Sequence, residues 1–300
     1  MNIAITGGTG FVGQQLTKQL VKQGHHVYIL TRSPEKYTNT SSILFIGWLR
    51  DNDQPVAQLP ELDAIVNLAG DSLFGYWTKT KKQRIIDSRI SATENVLTLI
   101  NSMDKKPSVL INASAVGFYG TSKTAAFTEK TTVPANDFLA TVTTQWEQTA
   151  RKAEREGIRT VLTRFGVILG NDGALPLMTL PFKLMIGGKV GSGDQWMSWI
   201  HIDDVVGLII HAIHDQTIQG PLNATAPHPV QNKQFSKTLA EVLNRPYWLP
   251  APAFAIRTFL GEMSTLILDG QAVYPEVATD SGYSFKYPKI EQALQAIYAE

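Results

Sequence analysis

The stretch Thr6-Gly7-Gly8-Thr9-Gly10-Phe11-Val12-Gly13 restricts what this chain can fold into more than any other. It contains Gly8-x-Gly10-x-x-Gly13 and, one register over, Gly7-x-x-Gly10-x-x-Gly13. A strand-like run over 2–6 leads into it. A helix-like run over 11–23 leaves it, with Phe11, Val12, Leu16, Leu20 and Val21 on one face. Gly24 stands where a helix end favours a left-handed residue, and Val27 to Thr31 reads as the next strand. Glycines in such a strand–turn–helix unit permit the tight turn, let backbone N–H groups approach a pyrophosphate, and let helix and strand pack closely. The helix N-terminus adds a partial positive charge facing the phosphates. The motif therefore predicts a dinucleotide site.

The rest of the first half keeps the same rhythm. Ile43 to Ile46, Ala64 to Ala69, Val109 to Ala113 and Thr160 to Phe165 read as strands, and 78–102 and 138–156 as helices, the second stopped by Gly157. Short apolar runs alternating with helices predict a parallel sheet covered on both faces. The rhythm breaks at 170–198, which is rich in Gly, Pro and Met and carries GGKVGSGDQ at 187–195. This segment predicts a loop region and part of a substrate lid. Ile200 and Ile202 follow as a short strand, and Asp203 or Asp204 is expected to cap a helix running to about His214. The tail spaces its prolines between helical segments. The expected fold is α/β: a Rossmann-type doubly wound parallel sheet with a smaller, mostly helical C-terminal substrate domain. Residues 1–170, with a return segment over about 199–225, should form the dinucleotide-binding domain, and 171–198 with 226–300 the smaller one.

Composition narrows the function classes. The net charge is +1, which gives no strong field for nucleic acid or for a membrane. The absence of cysteine excludes disulfides, thiolate catalysis and thiolate metal sites. No apolar stretch is long enough to span a bilayer, and the N-terminus shows no basic region with a cleavage site. A cytoplasmic protein acting on a small molecule is expected, with a homodimer possible and no metal.

The end of the second strand bears on the type of dinucleotide. An NAD unit usually places Asp or Glu about 20 residues after the glycines, on the ribose 2′-hydroxyl. Here Thr31, Arg32 and Ser33 stand there. A guanidinium can hold a 2′-phosphate in two hydrogen bonds, whereas a carboxylate repels it. NADP(H) is therefore expected over NAD(H). Asn67-Leu68-Ala69-Gly70 closes the fourth strand with small residues, and Ser114 ends the fifth on the side where ligands bind in such sheets.

Several stretches together resemble the short-chain dehydrogenase/reductase superfamily, extended type, and more narrowly its atypical epimerase-family branch, which is similar to nucleoside-diphosphate-sugar epimerases. They are TGGTGFVG at 6–13, SRISAT at 88–93, ASAVGFYG at 113–120, FLATVTTQWE at 138–147 and TRFGVILG at 163–170. WIHIDDVV at 199–206, LNATAPHPV at 222–230 and LGEMSTLILDGQAVYP at 260–275 continue the likeness almost to the end of the chain. The resemblance implies the Rossmann fold and the nucleotide cofactor. The cofactor contacts expected are Gly7, Thr9, Gly10, Phe11, Val12 and Gly13 in the turn, and Thr31, Arg32 and Ser33 after the second strand. Leu68, Ala69 and Gly70 follow the fourth strand, and Arg89, Ala113, Ser114, Arg164 and Val167 complete the set.

The catalytic pattern departs from that superfamily, which usually sets a Tyr and a Lys four residues apart on one helix face. The matching positions are Leu139 and Thr143, and neither transfers a proton as that pair does. Tyr119 and Lys123 have the spacing, but Gly120 interrupts them. Ser114 and Tyr119 are the expected catalytic pair, with Tyr119 as proton donor beside the cofactor and Arg164 as a possible source of the charge it needs. Two functions remain open at this point: an NADP(H)-dependent oxidoreductase or epimerase-like enzyme, and a non-catalytic NADP(H)-binding sensor or scaffold.

Overall fold

The apolar runs of the first half pair side by side in a computed structural model that describes residues 1–50, 52–131 and 136–298. The chain runs β1 (Asn2–Thr6), α1 (Phe11–Lys22), β2 (His26–Thr31), β3 (Ile43–Gly47), α2 (Pro55–Gln58), β4 (Ala64–Asn67) and α3 (Lys79–Asn101). It continues through β5 (Val109–Ala115), β6 (Ala126–Phe127), α4 (Phe138–Ala150), β7 (Arg159–Phe165), β8 (Val167–Leu169) and α5 (Leu175–Lys183). Then come β9 (Trp196–Met197), β10 (Trp199–His201), α6 (Ile202–His214), β11 (Gly220–Ala224), β12 (Val230–Gln231) and α7 (Asn232–Val242). The tail holds α8 (Ala253–Leu260), α9 (Thr265–Leu268), β13 (Ala272–Val273), α10 (Glu276–Asp280) and α11 (Ile290–Tyr298).

Seven strands form one sheet in the order β11-β7-β5-β4-β1-β2-β3, and every pairing in it is parallel. This is the doubly wound Rossmann arrangement. The chain moves outward from β1 to β3, then returns and builds in the other direction from β4. The reversal opens a crevice at the carboxyl ends of β1 and β4.

Alternation along the strands divides the core. Ile3, Ile5, Val66 and Ile111 face α1 and α6, where Leu16, Leu20, Val205 and Ile209 complete a buried layer. Ala4, Ile65 and Leu110 face the other side, against Ala92, Val96 and Ile100 of α3. Both helices over that second face begin with a side-chain cap: Thr78 accepts from Lys81 N and Asp137 from Ala140 N. A further core gathers α5, α7 and α11, with Leu175, Phe182, Phe235, Leu239 and Leu294 around Trp199.

The structure corrects the sequence reading in three places. Residues 170–198 are not all loop. Helix α5 forms despite Pro176 and Pro181, because Leu175, Thr179 and Phe182 fall on one buried face and Pro176 lies in the first turn, where no N–H is needed. Val167–Leu169 is a strand of its own, parallel to Trp199–His201. The cap of α6 is His201, whose Nδ1 accepts from Asp203 N at 3.1 Å, rather than either aspartate. Asp204 instead accepts from Tyr283 Oη, Lys286 N and Tyr287 N, and so ties the tail to the start of α6. No helix among the described residues is long and apolar enough to cross a membrane.

Candidate functional site

Each glycine of the 6–13 turn has its own steric reason. Gly7 has φ +67°, and a Cβ there would meet the Leu68 carbonyl at 2.8 Å, so the turn lies directly on the chain leaving β4. A Cβ on Gly8 would press into Ile29 at 2.9 Å, and one on Gly13 would drive into the Gly8 backbone at 2.5 Å. Gly10 differs. Its Cβ would meet only the Gly7 carbonyl oxygen, at an ordinary 3.4 Å. The inside of the turn is filled by the protein, and the outside, at Gly10, is open. Gly10 is also the N-cap of the twelve-residue α1 and supplies no side-chain cap to it. The backbone donors of that helix start therefore face the opening, as a pyrophosphate requires. Thr9 holds the turn through its carbonyl, which accepts from Gln14 Nε2. Phe11 and Val12 are half-buried, and Phe11 packs against Gly170 and Gly173.

Beneath the opening, side chains pin the strand ends together. Thr6 Oγ1 donates to Asn67 Oδ1 at 2.6 Å. Asn67 Nδ2 donates to Asn112 Oδ1 at 2.6 Å and to Thr93 Oγ1 at 3.0 Å. All four residues are buried. The cluster fixes β1, β4 and β5 in register where Leu68, Ala69 and Gly70 leave the sheet.

Arg32 is exposed just past β2 and, among the described residues, makes no ion pair. Glu35, three residues on, pairs with Arg50 instead. Thr31 Oγ1 accepts from Ser33 N at 3.4 Å, so the three residues share one turn. Arg89 lies against Gly70, with its guanidinium carbon 3.2 Å from where a Cβ would sit. Its Nη1 donates to the Asp71 and Ile85 carbonyls, and it stacks 5.1 Å from the Trp146 ring. Burial lowers its pKa to about 10, against the pull of Asp71. The carboxylate of Asp71 is taken by Lys81 and Arg84, which leaves Arg89, among the described residues, a cation without a paired anion at the crevice edge.

Ser114, Tyr119 and Arg164 lie elsewhere than expected. Arg164 Nε and Nη2 donate to the two oxygens of Glu147, both at 2.8 Å, and Nη1 donates to Tyr119 Oη at 2.8 Å. Tyr119 Oη in turn donates to Asn223 Oδ1 at 2.8 Å, and Ser114 Oγ donates to Glu147 Oε1 at 2.7 Å. None of Ser114, Tyr119, Glu147, Arg164 and Asn223 is more than 3% exposed. Burial works against the charge of Arg164, but the hydrogen bonds and charge of Glu147 outweigh it and hold the guanidinium above its ordinary pKa. Burial pushes the Tyr119 phenol up, although Arg164 pulls the other way. Tyr119 is therefore corrected from a crevice proton donor to a core residue. Ser114 spends its only proton on Glu147, and Arg164 spends its donors inside the network rather than on a cofactor. Ala113 is buried in β5 and Val167 half-buried in β8, so both offer mainly backbone near the strand ends.

The two positions that match the usual proton-transfer pair are apolar or occupied. Leu139 packs over Gly117, and Thr143 Oγ1 donates to the Leu139 carbonyl. Sequence reasoning missed Glu147, though a lone acid on the inner face of an otherwise apolar and hydroxyl-bearing helix was a readable signal. It also missed Glu129, which accepts from the backbone N–H groups of Asn223, Glu276 and Val277 and so clamps the tail to β11.

Comparison with known proteins agrees with this geometry. Residues 3–223 match the NAD dependent epimerase/dehydratase family, and residues 251–297 match a domain of unknown function, DUF1731. The epimerase family protein YfhF of Bacillus subtilis is 49% identical over 300 residues, covering 100% of this chain and 99% of that protein. The crystal structure of human epimerase family protein SDR39U1 (isoform2) with NADPH superposes with a TM-score of 0.89. It is 31% identical, and each chain covers 100% of the other. UDP-glucuronic acid 4-epimerase from Bacillus cereus, solved with UDP-glucuronic acid and NAD, shares the fold at a TM-score of 0.79 and 18% identity, covering 100% of this chain and 98% of its own. With the sheet order, the glycine turn and near end-to-end likeness all in agreement, the chain belongs to the NAD dependent epimerase/dehydratase family, in its atypical short-chain dehydrogenase/reductase branch that carries DUF1731.

Proposed function

We propose that the chain binds NADP(H) across the crevice at the ends of β1, β4 and β5, and acts as an oxidoreductase or epimerase-like enzyme on a small molecule. One observation carries the reading. In a turn whose other glycines press on Leu68, Ile29 and the Gly8 backbone, Gly10 alone opens outward, over the uncapped start of α1. The backbone of Gly7 to Gly13 would hold the pyrophosphate. Thr31, Arg32 and Ser33 would hold the 2′-phosphate, and the unpaired Arg32 has the charge and fork geometry for it. Leu68 to Gly70, Arg89, Ala113 and the backbone of Ser114 would line the remainder. The human relative solved with NADPH supports NADP(H). The nicotinamide would supply a hydride donor or acceptor. This chain's part is to bind, orient and shield, because Ser114 and Tyr119 have committed their protons inside the core.

That same commitment favours a second reading, a non-catalytic NADP(H) sensor. NADPH oxidation, followed optically with a panel of carbonyl compounds and nucleotide sugars, separates the two. Turnover with any member that is lost in Gly10→Val supports the enzyme. Tight NADPH binding with no turnover across the panel favours the sensor.

A further inference from the structure

A surface built by the segments around α5 and α8 carries an unusual pairing of apolar exposure and charge. The segment after α5 and the segment before α8 run side by side. Gly191 N donates to the Ala251 carbonyl and Ala251 N to the Lys189 carbonyl, both at 2.8 Å, and Trp248 Nε1 donates to the Met185 carbonyl at 2.9 Å. Together they form one ridge. Along it Leu184, Met185, Ile186, Trp248, Leu249 and Phe254 are all exposed, Trp248 at 63% and Phe254 at 75%. Helix α8 buries none of its residues. Tryptophan and phenylalanine left open on one ridge are costly in water and mark a contact surface.

The charges on the ridge say what it contacts. Between Asp172 and Asp194 there are two lysines, Lys183 and Lys189, and no acid. Between Glu241 and Glu262 there are two arginines, Arg245 and Arg257, and no acid. All four cations are exposed, and none makes an ion pair among the described residues. The overall charge of +1 hides this local separation. A second copy of the ridge would bring the same cations to the contact and no acid from these two segments. A surface that is apolar, aromatic and rimmed by unpaired Lys and Arg complements an anionic phospholipid bilayer, whose acyl boundary takes the apolar tips while its headgroups take the cations.

We propose that this ridge docks the protein peripherally on anionic membrane surfaces, a property independent of what the crevice binds. Flotation with vesicles tests it, using phosphatidylcholine alone and phosphatidylcholine with phosphatidylglycerol, at low and at high salt. The protein should float with the anionic vesicles only, and less so at high salt. Lys183→Gln and Lys189→Gln should each reduce the bound fraction constant about fivefold. Leu184→Ser with Phe254→Ser should abolish flotation while thermal unfolding and NADPH binding stay at wild-type values. Equal flotation with neutral vesicles overturns the electrostatic basis. So does no flotation at all, whether the chain is a monomer or a concentration-dependent dimer that the same double variant dissolves in sedimentation. The dimer outcome would assign the ridge to a second copy.

Discussion

Replacing Glu147 by Leu should cost about 3–5 kcal/mol, among the largest effects available in this fold. Glu147 is 3% exposed and accepts three hydrogen bonds, two from Arg164 and one from Ser114. An apolar side chain of similar length leaves the guanidinium, 2% exposed, with its charge uncompensated and two donors unmet. For a chain of this size the loss corresponds to a fall in Tm of about 5–8 °C. Removing both charges, with Glu147→Leu and Arg164→Met together, should recover most of that stability, because no buried charge is then orphaned. Urea unfolding of the wild type, both single variants and the double variant completes the cycle. NADPH binding should survive in the double variant, since the pair lies beneath the crevice. A Glu147→Leu loss below about 1 kcal/mol, or loss of NADPH binding in a stable Arg164→Met protein, would refute the assignment of this network to the core.

Two glycines of one motif should fail in opposite ways. Gly10→Val should keep the fold and abolish NADPH binding, because its side chain enters the open space in which we propose the phosphates lie. Gly13→Ala should lose about 1–3 kcal/mol of stability, because its Cβ drives into the Gly8 backbone; equal unfolding midpoints for the two variants would contradict the steric reading. Stability should also depend on His201. Burial holds its pKa below the ordinary 6.5, despite Asp203 and Asp204 and with Lys286 acting in the same direction as burial, and its Nδ1 must stay unprotonated to accept the Asp203 N–H. As pH falls below 6.5 the unfolded chain takes the proton first, so stability is full above that pH and declines below it. The urea midpoint should drop between pH 7.5 and 5.5, and His201→Asn, which still caps, should flatten the drop; identical slopes would count against it.

Local rules made most of the nucleotide-binding half legible. Residues 2–6 and 11–23 announced themselves because a buried parallel strand and an amphipathic helix have distinct periods, and the glycines between them have no cheaper use. What escaped was decided by partners far along the chain. Tyr119 stands at a strand end, where position alone points to the crevice, yet its hydroxyl is claimed by Asn223, 104 residues away, and by Arg164, 45 away. The helix at Leu175–Lys183 was hidden by two prolines whose local cost is offset by packing of Leu175 and Phe182 against α7 and α11. His201 caps α6 in place of the more usual aspartate because Asp204 is drawn to Tyr283 and the Lys286 and Tyr287 amides.

The account turns on the crevice holding NADP(H) by way of an unpaired Arg32, and calorimetric titration of the wild type and Arg32→Ala with NADPH and NADH tests it most directly. A charge-assisted guanidinium–phosphate contact contributes about 1.5–3 kcal/mol, so NADPH should bind the wild type at least about tenfold more tightly than NADH. In Arg32→Ala that preference should shrink to a few-fold, with NADH affinity nearly unchanged. Equal affinities in the wild type, or a preference that Arg32→Ala leaves intact, would contradict it.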